Sequence, residues 1–199
     1  MKKHNRNRIA IFGGSFNPCT KGHIKVAQMI LNKNEVDKVW FMPCFNHNFG
    51  KLTANPLDRI EMLYRAIKGK KNMEVCLYEV LTESDGKLFN TMEHLIAVNP
   101  NTEFKVIIGM DCATQINHWY NWEKLIELVP FIIVAREGYD IDGDRLFCHV
   151  PHIVIQDKTK YEYSSTLARK SIEKKDRVAQ NNLMYRGVIN YIEQNGLYI

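Results

Sequence analysis

The sequence predicts an α/β chain, a doubly wound parallel sheet with a small helical part at its C-terminal end. Three observations predict it. Strand-like apolar runs alternate with helical patterns along the chain. Runs such as Val106-Ile107-Ile108 and Phe131-Ile132-Ile133-Val134 are continuously apolar, the mark of parallel strands buried on both faces. The 199 residues, 45% hydrophobic and 25% charged, are enough for one domain over 1–199 with a substantial core, of which about 165–199 form the helical part.

In chain order, the first strand is expected at about 8–13 and the first helix at about 22–33. A strand at 38–43 follows, then a helix at 56–69. Pro56 suits the first turn of that helix, where no N–H is needed, and Ile60, Leu63, Tyr64 and Ile67 fall on one face. Next come a strand at 73–80, a helix at 89–99, a strand at 104–109, a helix at 121–128, and strands at 130–136 and 150–155. The last helices are expected at 165–175 and 183–195, and segments 44–55 and 138–149 read as loops. Such sheets bind ligands beyond the C-terminal ends of their strands, near the point where strand order reverses.

Composition narrows the function. The net charge of +5 fits anionic ligands, but the basic residues are dispersed, so no nucleic-acid partner is expected. No apolar run approaches the ~18–20 residues of a membrane span. The basic N-terminus lacks the apolar stretch of a signal peptide, so a cytoplasmic protein is expected. Five scattered cysteines without a C-x-x-C pair read as free thiols in a reducing compartment. Cys148-His149-Val150-Pro151-His152 has no second ligand cluster, and no protein-bound metal is expected.

The chemistry concentrates in the run Ile9-Ala10-Ile11-Phe12-Gly13-Gly14-Ser15-Phe16-Asn17-Pro18-Cys19-Thr20-Lys21-Gly22-His23. A strand ends in paired glycines, whose backbone a ligand can approach closely. A helix follows, with unpaired N–H donors at its start that suit phosphate. Thr20 and His23 are three apart and can face one phosphate, with Gly22 leaving room between them. The histidine adds a movable proton or positive charge. A second run, Tyr163-Ser164-Ser165-Thr166-Leu167-Ala168-Arg169, offers Ser164 or Ser165 as a helix cap, a hydroxyl on Thr166, and Arg169 one turn inward.

Thr20-Lys21-Gly22-His23 resembles the T/H-x-G-H motif of the nucleotidyltransferase superfamily, and Tyr163–Arg169 its I-S-S-T-x-x-R motif, with tyrosine for isoleucine. The Gly-Gly-Ser-Phe-Asn-Pro form looks like the nicotinate or nicotinamide mononucleotide adenylyltransferases. The resemblance runs from about residue 9 to 170 and implies a Rossmann-like fold. Many bacterial members carry histidine where this chain has Thr20, a donor without charge. The resemblance implies that Gly109 and Asp111, in Gly109-Met110-Asp111, lie on the adenosine side, with the aspartate on ribose hydroxyls; a helix cap is the alternative. It implies that Trp119 and Tyr120 meet the acceptor's pyridine ring, where aromatic core packing is the alternative, above all for Trp122. Thr91 is similar to the position that contacts that ring, and equally could cap a helix; His94 departs from the family's second threonine. Lys51 would hold the acceptor phosphate or the triphosphate. Arg136 would line the cleft, or stand as a surface charge at a strand end.

The implied reaction is attack by the acceptor's phosphate on the α-phosphorus of ATP, with pyrophosphate leaving in line. His23 would stabilise the α-phosphate, while Thr20, the Gly13–Phe16 backbone, Arg169 and the helix at Ser165 hold the triphosphate. Mg2+ would arrive with ATP rather than on a carboxylate cluster. The substrates are then ATP and a pyridine mononucleotide, with nicotinate preferred. The alternatives are a nicotinamide or dual-specificity enzyme, a phosphopantetheine adenylyltransferase, and an inactive nucleotide sensor.

Overall fold

The computed structural model describes residues 7–45, 54–136, 151–157 and 163–198. Six parallel strands form one sheet in the order β3-β2-β1-β4-β5-β6. They are β1 (Asn7–Gly14), β2 (Lys38–Pro43), β3 (Met73–Val75), β4 (Thr102–Gly109), β5 (Phe131–Arg136) and β6 (Ile153–Asp157). The helices are α1 (Lys21–Asn32), α2 (Pro56–Ile67), α3 (Tyr78–Leu81), α4 (Leu88–Val98), α5 (Met110–Ala113), α6 (Trp122–Leu128), α7 (Ser165–Glu173), α8 (Arg177–Leu183) and α9 (Arg186–Gln194). A 3-10 turn spans Ile116–His118. From β1 the chain steps outward to β2 and β3, then returns across β1 to β4. The strand order therefore reverses between β1 and β4. Phe12 pairs with Ile107, so the register carries Gly14 to the side of Gly109 at this switch point.

Strand alternation feeds two cores. Ala10 and Ile132 pack on one face of the sheet; Ile9, Ile11, Phe131 and Ile133 pack on the other. Ile132 and Phe131 are fully buried, each side chain contributing about 2–3 kcal/mol. On the first face, Met184, Val188, Ile189 and Ile192 from the C-terminal helices share the cluster with Ala10 and Val39. On the second, Trp119 and Trp122 pack against the core from its edge. Pro56 opens α2 as expected, and the Asn55 side chain caps it by accepting from Leu57 N.

Four expectations differ from the structure. The strand expected at 73–80 stops at Val75, and α3 follows. Cys76 N donates to Phe41 O, and the next rung of that parallel ladder requires an N–H from residue 43, which is proline. The last strand begins at Ile153 rather than 150, because Pro151 has no N–H for the ladder and His152 Nδ1 accepts Phe131 N at 3.1 Å. The helix expected at 183–195 begins at Arg186. Ahead of it stands α8, which composition did not suggest; Asp176 caps it by accepting from Ala179 N.

Candidate functional site

A cleft of about 820 Å³ opens over the C-terminal ends of β1 and β4. Gly13, Gly14, Ser15, Gly22 and His23 form one side. Gly109, Met110 and Asp111 form another, and His118, Trp119 and Tyr120 a third. Glu79, Asp85, Gly86, Lys87 and Leu88 close the remaining wall, and Tyr163 lies at the first motif. Nine of the candidate residues thus meet in one cavity at the switch point.

The first motif is built to aim one ring. Thr20 caps α1, and its backbone N–H donates to His23 Nδ1 at 3.0 Å, one half of a capping box. A nitrogen that accepts a backbone N–H carries no proton, so the imidazole proton belongs to Nε2. His23 therefore stands as a neutral N–H donor, not as the cation that its residue type allows. Phe16 and Phe12 hold the ring, at centroid distances of 5.1 and 6.1 Å. Phe16 itself has φ 49°, in the left-handed region that costs an ordinary side chain about 1 kcal/mol or more. Its ring lies in the core with 2% exposure, beneath Gly14.

Two placements correct the sequence reading here. Thr20 is fully buried, with its hydroxyl 2.9 Å from His23 Nδ1. It sits behind the histidine instead of beside it on a common phosphate. Gly22 makes room for Tyr163, because a Cβ on it would lie 2.4 Å from Tyr163 Cβ. Lys25 Nζ donates to the Tyr163 hydroxyl at 2.5 Å and fixes that tyrosine over the helix start.

The second motif docks onto the first. Ser164 is the cap of α7, accepting from Leu167 N, and Ser165 Oγ donates to Pro18 O at 2.9 Å. Arg169 Nη1 donates to Asn17 O at 2.6 Å, and Nη2 to Thr166 Oγ1 at 3.4 Å. Ser164, Ser165, Thr166 and Arg169 do not line the cleft themselves, although their helix packs against the loop that does. Among the described residues, three of the five guanidinium N–H groups remain for other acceptors.

After β4, Gly109 is the residue that precedes α5, and Asp111 lies inside that short helix, so Asp111 is not its cap. A side chain at Gly109 would meet Asp111 Oδ1 at 2.4 Å. The glycine lets the carboxylate fold over the strand end. Trp119 is half-buried and lines the cleft, while Trp122 packs at the core without reaching it. Tyr120 is 50% exposed, edge-on to Phe89, with Lys87 Nζ 5.0 Å from its ring centre.

Thr91 departs from expectation. It is 1% exposed inside α4 and does not line the cleft, nor does it cap the helix. Its hydroxyl donates to Glu79 Oε1 at 3.4 Å. Glu79 is the group that meets the cleft, only 5% exposed, and the sequence reading passed it over. Burial pushes its carboxyl up to about 7; the Thr91 hydrogen bond opposes the shift and Asp85 adds to it. The signal for Glu79 was hidden inside what looked like a strand.

Arg59 was also missed. It is fully buried on α2, and its guanidinium donates to the carbonyls of Ala54 at 3.0 Å, Ser15 at 3.0 Å, Cys44 at 2.7 Å and Phe45 at 3.0 Å. It ties the first-motif loop to the segments before and after residues 46–53. Asn17 extends the tie, its Oδ1 accepting from Ala54 N and from the Tyr198 hydroxyl. The helical spacing of Arg59 with Met62 and Ala66 placed it on the buried stripe, which was the available clue. Lys51, Cys148 and His149 lie outside the described residues. Arg136 ends β5, and its side chain also lies outside them.

The model of the cytidylyltransferase-like family matches residues 11–171. The chain belongs to that family. Within it the chain is 34% identical to a Bacillus cytotoxicus protein named "Probable nicotinate-nucleotide adenylyltransferase", over 96% of this chain and 98% of that protein. It is also 34% identical to a protein of the same name from Methylacidiphilum infernorum, over 100% of this chain and 96% of the other. A Plasmodium falciparum nicotinic acid mononucleotide adenylyltransferase, solved in complex with NaAD, superposes with a TM-score of 0.81 at 26% identity, covering 96% of this chain and 97% of that one. The family match spans both sequence motifs and both halves of the sheet.

Proposed function

We propose that this chain transfers the adenylyl group of ATP to the phosphate of nicotinate mononucleotide, giving the deamidated NAD dinucleotide and pyrophosphate. One observation carries the proposal: the first motif and the Trp119-Tyr120 pair, nearly a hundred residues apart, face the same cleft at the switch point. The relatives' names and the superposed structure support the same acceptor.

In the reaction an acceptor phosphate oxygen forms a bond to the α-phosphorus of ATP, and the bond from that phosphorus to the bridging oxygen breaks. The acceptor is already an anion near neutral pH, so the chain supplies position and charge stabilisation instead of a base. His23 donates from Nε2 to the α-phosphate as negative charge shifts onto it. The Gly13–Ser15 backbone and the start of α1 face the phosphates. Arg169, held by Asn17 and Thr166, directs its remaining donors to the β- and γ-phosphates, and Ser165 fixes its helix on the loop. Asp111 takes the ribose hydroxyls, and Trp119 with Tyr120 the pyridine ring. Lys51 would hold the acceptor phosphate or the triphosphate, and Arg136 would line the cleft.

The acidic side chains at the cleft, Glu79, Asp85 and Asp111, form no cluster that could hold a metal ion among the described residues. ATP is proposed to bring its own Mg2+, which would neutralise charge on the departing pyrophosphate. Among the described residues no helix is long and apolar enough to cross a membrane. Cys19, Cys44, Cys76 and Cys112 are free thiols, which supports a reducing, cytoplasmic setting.

Pyrophosphate release from ATP, measured with nicotinate mononucleotide, nicotinamide mononucleotide and phosphopantetheine in parallel, tests the proposal. The expected order places nicotinate mononucleotide first and phosphopantetheine at background. Turnover of phosphopantetheine alone would overturn the assignment of Trp119 and Tyr120. No turnover with any of the three would leave a nucleotide sensor as the better description.

A further inference from the structure

The acceptor end of the cleft contains one buried carboxyl that the reaction above does not use. Glu79 reaches the cavity from α3, and its Oε1 is held by the Thr91 hydroxyl of α4. It lies in the wall formed with Leu88, while Trp119 and Tyr120 line the same cavity. Taking the pyridine mononucleotide reading as its basis, we propose that Glu79 determines acceptor specificity, distinguishing a pyridine bearing a carboxylate from one bearing a carboxamide according to its own protonation state.

The physics is a matter of charge at close range in a partly desolvated wall. A protonated Glu79 can donate its O–H to a ring carboxylate. An ionised Glu79 faces that carboxylate as a like charge and repels it. The carboxamide is neutral, and its NH2 and C=O can pair with either form of the side chain. Burial holds the Glu79 carboxyl up to about 7, so the switch falls within the range where the enzyme would work. Among the described residues, the groups around it are few. Asp85, in the turn before α4, raises it; Cys44 after β2 and Cys76 after β3 are the thiols that sense its charge, and both are themselves pushed up by burial. Lys87, in the same wall, is held by Asp85 at 2.9 Å. Tyr78, beside Glu79 in sequence, stacks on His94 of α4. His118 and His23 line other walls of the cleft.

The test uses the intact protein and the ratio of kcat/KM for nicotinate mononucleotide to that for nicotinamide mononucleotide, from pH 5.5 to 8.5. Both acceptors carry the same phosphate, and both share ATP, His23 and His118, so titrations common to the two cancel in the ratio. The expected ratio falls at least about tenfold as Glu79 ionises, with the loss in KM of the carboxylate acceptor rather than in kcat. Glu79→Gln keeps the shape and an acceptor for Thr91, and is expected to flatten the ratio across the range. A second variant, Thr91→Val, removes the hydrogen bond that favours the ionised form and is expected to move the fall to higher pH. A flat ratio in the wild-type protein, or an unchanged slope in Glu79→Gln, would overturn the specificity role. Absence of turnover with both pyridine acceptors would instead count against the proposed function itself, so the two failures are distinct.

Discussion

His23→Ala is expected to lower kcat on the order of 10²–10³-fold while leaving the KM for ATP within a few-fold of wild type. The effect follows from when the bond matters. In the proposed reaction the Nε2 proton would meet charge that grows on the α-phosphate only as the new bond forms, and a donor aimed at developing charge acts on the transition state more than on bound substrate. The ring is aimed before substrate arrives, because Thr20 N binds Nδ1 and Phe16 and Phe12 flank the plane. Alanine also removes the capping acceptor for Thr20 N, at a cost of about 1 kcal/mol in stability. Turnover should therefore be measured well below the melting range and per folded molecule. His23→Asn, which retains an N–H donor but shortens its reach, should fall between the two. Turnover of His23→Ala equal to wild type would remove the histidine from the chemistry.

Arg59→Met is expected to destabilise the protein by about 3–5 kcal/mol, visible as a drop in Tm of about 10 °C or more. Methionine fills most of the volume but offers no donor. The carbonyls of Ser15, Ala54, Cys44 and Phe45 then lose the partner that a fully buried guanidinium supplies. An unpaired buried acceptor costs about 1–3 kcal/mol, and partial relaxation keeps the total below the sum. Activity should fall beyond the folding loss, because Ser15 and Cys44 line the cleft and a shift of the loop displaces the reacting groups. Arg59→Lys, with three donors on a flexible stem, should recover part of the stability and less of the activity. An Arg59→Met protein that melts with wild type and turns over normally would show that the loop holds its place without this clamp.

Much of the fold was legible because its signals are local. The continuous apolar runs of β4 and β5, the glycines ending β1, and Pro56 at α2 each report on their own few residues. What escaped depends on partners distant in sequence. The end of β3 is set by Pro43 on the neighbouring strand, not by anything in β3. The candidate site divides in the same way. Gly13, Gly14, His23, Gly109, Asp111, Trp119 and Tyr120 could be named from motifs, and they meet in one cleft. Thr20, Ser165 and Arg169 could be named too, but what they touch could not: Thr20 backs His23, while Ser165 and Arg169 grip Pro18 and Asn17. Glu79 and Arg59 carry no motif. A lone acid in an apolar stretch and a lone arginine on a helix acquire meaning only when the fold supplies Thr91 to one and four carbonyls to the other.

In the proposed function a single cleft at the β1–β4 switch point joins the two nucleotides beneath His23. A crystal structure with the deamidated dinucleotide bound tests it most directly. The pyrophosphate bridge is expected within hydrogen-bond reach of His23 Nε2, the adenosine ribose at Asp111, and the pyridine against Trp119 with Glu79 beside its carboxylate. A dinucleotide bound outside this cleft, or bound in it with its adenine against Trp119 and its pyridine at Asp111, would contradict it.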